Sequence, residues 1–70
     1  MLSDRRQAWL VVHRGQKMAV YLRGEETLYG YLLDWDEAAL VLEWESGKEP
    51  VDILILWTAV SYISPRLEGE

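Results

Sequence analysis

The fold of this chain is decided by residues 20–36, which read VYLRGEETLYGYLLDWD. Large apolar side chains alternate with other residues on both sides of an interruption at residues 24–26, and a period of two is typical of strands. The interruption starts with a glycine, which favours a turn, and its two glutamates break the apolar alternation. Gly30 lies in the middle of the second half, where a glycine marks a bend or bulge. The stretch therefore predicts two strands, at 17–23 and 27–35, of which the second is bent.

The strand pattern continues downstream. We predict further strands at 38–45, 51–57 and 59–63. In the first of these, Ala38, Leu40, Leu42 and Trp44 recur at the period of two. An acidic turn at 34–37 and a polar loop at 45–50 separate them. Pro65 is expected to end the pairing, and the polar residues 66–70 to form a loose tail.

Residues 3–14 allow two interpretations. Ser3 or Asp4 can cap a helix, and Gly15 can end it in the left-handed conformation. In contrast, residues 9–12 are Trp-Leu-Val-Val, a strand-like run. We favour a short helix at 3–14 because both its start and its stop signals are present, which makes residues 1–70 a single domain of one helix and five strands.

Composition excludes several classes of site. The chain has no cysteine and one histidine, so we expect neither a disulfide nor a metal site, and no cofactor. No run reaches the about 18 apolar residues of a membrane helix, and the N-terminus lacks a signal pattern, so the expected location is the cytoplasm. The net charge of −5 disfavours strong, unspecific binding of nucleic acid.

The fourth predicted strand indicates assembly. Val51, Ile53, Ile55 and Trp57 alternate with Leu54 and Leu56, so both faces of the strand are apolar. A strand of this kind is normally covered on both faces. A chain of 70 residues cannot provide a second layer for every strand, and an exposed apolar strand invites aggregation. We therefore expect another copy of the chain to cover it.

Residues 17–65 resemble the Sm-like superfamily, and in particular its bacterial Hfq branch. Residues 20–36 are similar to the first Sm motif, with Gly24, Gly30, Trp35 and Asp36 in register and without gaps. Residues 59–65 are similar to the closing strand of the family, which ends in a comparable Ile-Ser-Pro run.

The resemblance implies a mostly β fold: a short N-terminal helix followed by a strongly bent, five-stranded antiparallel sheet that forms a small open barrel. It also implies a homo-oligomeric ring in which the fourth strand pairs with the fifth strand of the next subunit. A hexamer is expected from the Hfq branch, with five to seven subunits possible. The residues predicted at the subunit interface are Val51, Ile53, Leu54, Ile55, Leu56, Val60 and Tyr62.

The chain departs from the family at its RNA sites. Where Hfq-like proteins carry a Tyr-Lys-His signature that binds uridine-rich RNA, this chain has Leu56-Trp57-Thr58. The arginine–glycine pair of the Sm branch is also missing, and Leu40 stands where that branch has an asparagine. Neither pore-side site is therefore expected in its usual form.

Three groups of residues remain candidates for contact with RNA. Tyr21 matches a tyrosine that binds adenine-rich RNA in Hfq, and Tyr29 lies nearby; both could instead be sheet aromatics that pack across strands. Trp57 and Thr58 could line the pore, or pack against a neighbouring subunit. A basic edge at the helix could be an RNA rim or a solvated surface; it comprises Arg5, Arg6, His13, Arg14 and Lys17.

Two functions follow from these observations. The first is an Hfq-like ring that binds single-stranded RNA weakly or selectively. The second is a ring that has lost RNA binding and serves as a scaffold for protein partners. An enzyme is not expected, because Asp34, Asp36 and Glu37 have no nucleophile or metal beside them and are typical of a solvated turn.

Overall fold

The computed structural model describes residues 3–46 and 48–66, and at residues 45 and 46 it describes the backbone alone. The elements in chain order are α1 (Asp4–His13), β1 (Lys17–Leu22), β2 (Thr27–Trp35), β3 (Ala39–Ser46), β4 (Glu49–Leu56), a 3-10 turn (Trp57–Ala59) and β5 (Val60–Pro65). The strands form one antiparallel sheet in the order β4-β3-β2-β1-β5. This confirms the predicted mostly β fold, a helix followed by a five-stranded antiparallel sheet.

Hydrogen bonds and one backbone angle define the two ends of helix α1. The Oγ of Ser3 accepts a hydrogen bond from the Arg6 amide at 3.1 Å, and such a cap satisfies an amide that the first turn leaves unpaired. Gly15 has a φ of 83°, a conformation that favours glycine. The Gly15 amide then donates to the Leu32 carbonyl at 2.7 Å, which ties the end of α1 to β2.

The core lies between α1 and one face of the sheet. Leu10 is the buried residue of the helix, and Met18 and Val20 on β1 meet it from the sheet. The alternation of the strands puts every second residue on this inner face. The remaining buried members of the cluster are Leu32, Leu40, Leu42, Ile55 and Val60.

Gly30 allows β2 and β3 to come close at the bend. A Cβ atom at this position would overlap the carbonyl oxygen of Glu43 and lie 2.9 Å from Leu42 Cγ. The β2–β3 register then shifts between Leu32 and Asp34, which adds a bulge a few residues further along. The predicted bend therefore has a steric cause, since any side chain at residue 30 would push the two strands apart.

The structure corrects several predicted boundaries of strands and loops. Residues 45, 46, 49 and 50 were expected in a loop but belong to paired strands, since pairing of β3 with β4 continues out to Ser46 and Glu49. Pro50 lies in β4 and not in a loop, because β4 is an edge strand of the single chain, where a proline is tolerated. Trp57 starts the 3-10 turn rather than ending a strand, and Pro65 still pairs with Met18. The predicted loose tail, apart from Arg66, lies outside the described residues.

Candidate nucleic-acid interface

All four tyrosines of the chain lie on the outer face of the sheet, opposite the core. Tyr21 follows core-facing Val20 on β1, and the β1–β5 register pairs it with Tyr62. Tyr29 and Tyr31 flank Gly30 on β2 and alternate with inner-face residues. We call this surface, together with its two cations, the tyrosine face; its residues are Lys17, Tyr21, Tyr29, Tyr31, Tyr62 and Arg66.

Each aromatic ring of the tyrosine face has a partner. The rings of Tyr21 and Tyr62 stack, with centroids 4.2 Å apart and an interplanar angle of 18°. The Arg66 guanidinium carbon lies 4.4 Å from the Tyr29 ring centroid. The Lys17 Nζ lies 5.9 Å from the Tyr31 centroid. Cations over ring faces are attracted by the negative face of the π system, so the surface combines flat apolar rings with positive charge.

Charge is distributed unevenly along the tyrosine face. At the Tyr21–Tyr62 end, a shallow groove is also lined by Glu25 and Glu26 of the β1–β2 turn. At the other end, Lys17 and Arg66 stand over their rings. A polyanion would therefore be attracted at the Lys17–Arg66 end and repelled near the β1–β2 turn.

The residues at the pore-motif position are held by the backbone around them. The Trp57 indole Nε1 donates to the Asp36 carbonyl at 2.8 Å, and its amide donates to the Ala38 carbonyl at 3.0 Å. The carbonyl of Thr58 accepts from Arg23 Nε at 2.8 Å. Trp57 is half-buried against the core of its own chain, and its indole N–H is already paired with the Asp36 carbonyl. The Thr58 side chain is exposed.

Asp36 organises the turn between β2 and β3. Its Oδ1 accepts hydrogen bonds from the amides of Ala38 and Ala39, at 2.8 and 2.9 Å. These bonds, the Ala39 bond first, lower the pKa of the Asp36 carboxyl below its ordinary value because they favour the charged form. The Asp36 carboxylate therefore holds the turn together through the amides of Ala38 and Ala39.

The predicted basic edge is not one cluster. Arg14 Nε donates to the Leu33 carbonyl at 3.0 Å and its guanidinium lies 5.7 Å from the Trp35 ring. His13 Nδ1 donates to the Trp9 carbonyl at 2.8 Å. Lys17 belongs to the tyrosine face, and Arg5 is exposed on α1. The candidate cations are therefore divided between the two sides of the sheet.

Arg6 lies in a groove between α1 and β5. The groove has a volume of about 320 Å³, and its other lining residues are Trp9, Leu10, Arg23, Trp57, Val60, Ser61, Tyr62 and Ile63. Four of these are consecutive residues of β5, so the groove follows the free edge of the sheet.

The predicted interface residues fall into two classes. Ile55 and Val60 are buried in the core of a single chain, and Ile53 packs against it, so these side chains are covered without a second copy. Leu54 and Leu56 point to the opposite face of β4 and are 68% and 53% exposed. Val51 and Tyr62 are also exposed.

Sequence reasoning missed three members of the tyrosine face as possible RNA contacts. Tyr31 lies two residues after Tyr29 and therefore on the same face of the strand, but the sequence alone assigns it no role of its own. Tyr62 was assigned only to the interface, and Arg66 only to the tail. The missing signal was the pairing of β1 with β5, which brings distant residues beside Tyr21 and Lys17.

Within residues 3–46 and 48–66, no group of three or more acidic, histidine or cysteine side chains is placed to hold a metal ion. In the same part of the chain, no helix has the length and apolar character needed to cross a membrane.

Comparison with known proteins identifies the fold. No protein-family model and no curated protein matches the chain. A solved structure does match, the 1.55 Å crystal structure of the pleiotropic translational regulator Hfq, with a TM-score of 0.74. The match covers 87% of this chain and 98% of the Hfq chain at 17% identity. The chain therefore has the Sm-like fold of Hfq.

Proposed function

We propose that this chain forms a closed ring of identical subunits that binds single-stranded RNA on its tyrosine face. Six copies are expected, as the resemblance to the Hfq branch implies, and the ring would act in the cytoplasm without catalysing a reaction. Like Hfq, which is a translational regulator, it would act on RNA as a riboregulator. The observation that carries the RNA part is the presence of all four tyrosines, Lys17 and Arg66 on one surface.

The ring is supported by the two free edges of the sheet. The unpaired backbone of β4 and of β5 provides donors and acceptors for another strand. Beside β4 stand the exposed side chains of Val51, Leu54 and Leu56, and beside β5 runs the groove lined by Trp9 and Trp57. Pairing of β4 with β5 of the next copy would remove both edges and cover these apolar groups, and a head-to-tail contact of this kind gives a ring when the rotation between copies closes.

RNA binding is supported by the chemistry of the tyrosine face. Bases stack on aromatic rings with about 1–3 kcal/mol each, and Tyr29 and Tyr62 remain 40% and 59% exposed. Lys17 and Arg66 can pair with phosphate close to the same rings. Cyclic symmetry would repeat this surface around the ring, so several weak contacts would act on one strand of RNA.

The charge pattern makes this binding selective rather than strong. Glu25 and Glu26 stand beside the Tyr21–Tyr62 end, and the chain carries a net charge of −5. A strand of RNA would therefore approach from the Lys17–Arg66 end and avoid the β1–β2 turn.

The test is RNA binding by purified protein whose mass is known from light scattering. Poly-U, poly-A and mixed RNA are compared at low and moderate salt, with the Tyr29→Leu variant as the control for the surface. We expect micromolar, salt-sensitive binding to one polymer that the variant weakens. Absence of binding at low salt, by a protein confirmed as a ring, would reject the RNA proposal and leave the ring intact.

A scaffold for protein partners is the second candidate. It is favoured by exposed Val11 and Val12 on the helix, which offer neither charge nor hydrogen bonds to RNA. A protein partner held by such side chains would bind with little dependence on salt.

A further inference from the structure

Arg66 is the cation of the tyrosine face that is best placed to recognise a base. Its amide donates to the Lys17 carbonyl at 2.9 Å, so its backbone is held beside β1 although it follows the last strand. Its guanidinium carbon lies over the Tyr29 ring, 4.4 Å from the centroid. Ala19 stands opposite Tyr29 in the β1–β2 register, and its small side chain lets Arg66 reach across β1 to that ring.

The contact with Tyr29 uses the flat face of the Arg66 guanidinium and not its hydrogen-bond donors. The five N–H donors of this group point outward from its rim, in the plane of the group. Arg66 is exposed, so a ligand can approach that rim. Because the ring holds the guanidinium in place, the donors form a planar fork, which fits a partner with two adjacent acceptors.

Guanine has the base edge that fits such a fork. Its Hoogsteen edge carries two adjacent acceptors, O6 and N7, and arginine binds them with two parallel hydrogen bonds. Adenine has the amino group N6 in place of O6, so one donor of the guanidinium would meet another donor. At the corresponding position uracil has the single acceptor O4 and cytosine has an amino group.

The side chains that recognise adenine lie elsewhere in the chain. Adenine is recognised by the amide of asparagine or glutamine, which donates and accepts at once. The chain has no asparagine, and its two glutamines are Gln7 and Gln16. Gln7 Oε1 accepts from Trp35 Nε1 at 2.8 Å, and Gln16 lies opposite core-facing Leu32. Neither glutamine therefore belongs to the outer face.

The carboxylates on the outer face stand away from Arg66. Glu43 pairs with Tyr31 from β3, and Asp52 pairs with Glu43 from β4, whereas Arg66 lies beside β1. The acidic β1–β2 turn is at the opposite end of the tyrosine face. A base edge directed at Arg66 is therefore turned away from these acids, and the neighbouring charge is that of Lys17.

We propose that the tyrosine face prefers single-stranded RNA that contains guanine, with Arg66 binding O6 and N7 of the base and Lys17 the adjacent phosphate. This preference rests on the RNA binding proposed above. Tyr29 is a positioning residue for the guanidinium through the ring contact. On a strand without guanine, Arg66 contributes only its charge to the phosphates, and binding is weaker.

The test compares labelled oligonucleotides made of UUG or UUA repeats by fluorescence anisotropy. Two modified repeats replace guanine: inosine keeps O6 and N7 but lacks the N2 amino group, and 7-deazaguanine lacks the N7 acceptor. We expect the UUG repeat and its inosine form to bind about tenfold more tightly than the UUA repeat. The 7-deazaguanine form should lose most of that advantage.

Arg66→Lys separates the fork from its charge. Lysine keeps the positive charge but has no planar pair of donors, so the preference for UUG over UUA should disappear, whereas the salt dependence of binding to UUA should stay as in wild type. Arg5→Lys is the matched control, since it makes the same exchange at an exposed residue of α1, and it should keep both properties.

The outcomes distinguish this preference from the RNA binding on which it rests. Equal affinity of wild type for UUG and UUA would overturn the guanine preference and leave RNA binding intact. Binding of neither repeat, by a protein confirmed as a ring, would overturn both proposals. A preference that survives in Arg66→Lys, or that is lost with inosine, would show that another group recognises the base and would reject the role of Arg66.

Discussion

Tyr21 on β1 and Tyr62 on β5 stack across the sheet, with ring centroids 4.2 Å apart and an interplanar angle of 18°. The contact joins residues that are 41 positions apart in the sequence, and it fixes the orientation of both rings. Stacked aromatic pairs contribute about 0.5–1.5 kcal/mol beyond the area they bury. One side of Tyr21 is therefore occupied within the chain, whereas Tyr29, with a cation over it, stands further along the same face.

Replacing Tyr29 with leucine is expected to weaken RNA binding about tenfold. The reason is that one base loses its stacking partner, and such a stack contributes about 1–3 kcal/mol. Leucine keeps an apolar side chain on the strand but has no flat ring. Fluorescence anisotropy with a labelled oligonucleotide measures the affinity. Thr58→Ala serves as the control, since Thr58 lies at the pore-motif position and outside the tyrosine face. A loss of affinity in Thr58→Ala alone would move the RNA site to the pore.

Arg66→Gln is expected to reduce the salt dependence of RNA binding. Each phosphate contact on a single strand contributes about 0.7 to the slope of log affinity against log salt concentration. Arg66 lies over Tyr29, so its loss should lower the slope by about that amount. Arg5→Gln removes the same charge from α1, on the other side of the sheet, and should leave the slope unchanged. Equal changes in both variants would show that general charge, rather than the tyrosine face, attracts the RNA.

Much of the fold could be predicted from short-range signals. Ser3 and Gly15 limit the helix through local hydrogen bonds and one backbone angle, and both can be recognised in the sequence. Gly30 could be recognised as a bend, although not as the contact with Glu43 that requires it. Pro50 was misleading because its effect depends on whether β4 is an edge, which only the strand order reveals.

The candidate site was less predictable because it depends on long-range pairing. The period of two assigns Tyr29 and Tyr31 to one face, but it does not place Tyr62 or Arg66 beside them. The β1–β5 register does so. Alternation in β4 likewise puts Ile55 and Leu54 on opposite faces, but it does not predict which of them is buried. Ile55 is buried because helix α1 packs on its side of the sheet.

Gly30→Ala is expected to destabilise the fold severely, by about 1–3 kcal/mol or more, because overpacking against backbone cannot be relieved by a side-chain rotation. The added methyl group would overlap the Glu43 carbonyl. Thermal unfolding monitored by circular dichroism measures the effect. Gly24→Ala is the matched control, since a Cβ there meets nothing within 4 Å and its φ is not left-handed. Similar melting temperatures for the two variants would contradict the steric explanation of the bend.

The contribution of Asp36 to the free energy of unfolding depends on pH. The hydrogen bonds from Ala39 and Ala38 lower the pKa of its carboxyl in the folded chain, so the carboxylate stabilises the fold at pH values above the unfolded pKa. This contribution is lost as the pH falls through the depressed folded pKa. Asp36→Asn should be less stable than wild type at neutral pH, and the difference should vanish in acid. Urea unfolding at several pH values checks this, and a difference that stayed constant with pH would contradict it.

Leu54→Asp and Ile55→Asp are expected to fail in different ways, although the residues are adjacent. Ile55 is in the core of the single chain, and an unpaired carboxylate there would cost several kcal/mol, about the whole stability of a small domain. Ile55→Asp should therefore be unfolded by circular dichroism. Leu54 is 68% exposed on the opposite face of β4, so Leu54→Asp should keep the folded spectrum. That face of β4 lies beside the proposed β4–β5 contact. The mass of the Leu54→Asp variant by light scattering should therefore fall below that of the ring. A folded Leu54→Asp that kept the full mass of the wild type would mean that the outer face of β4 takes no part in assembly.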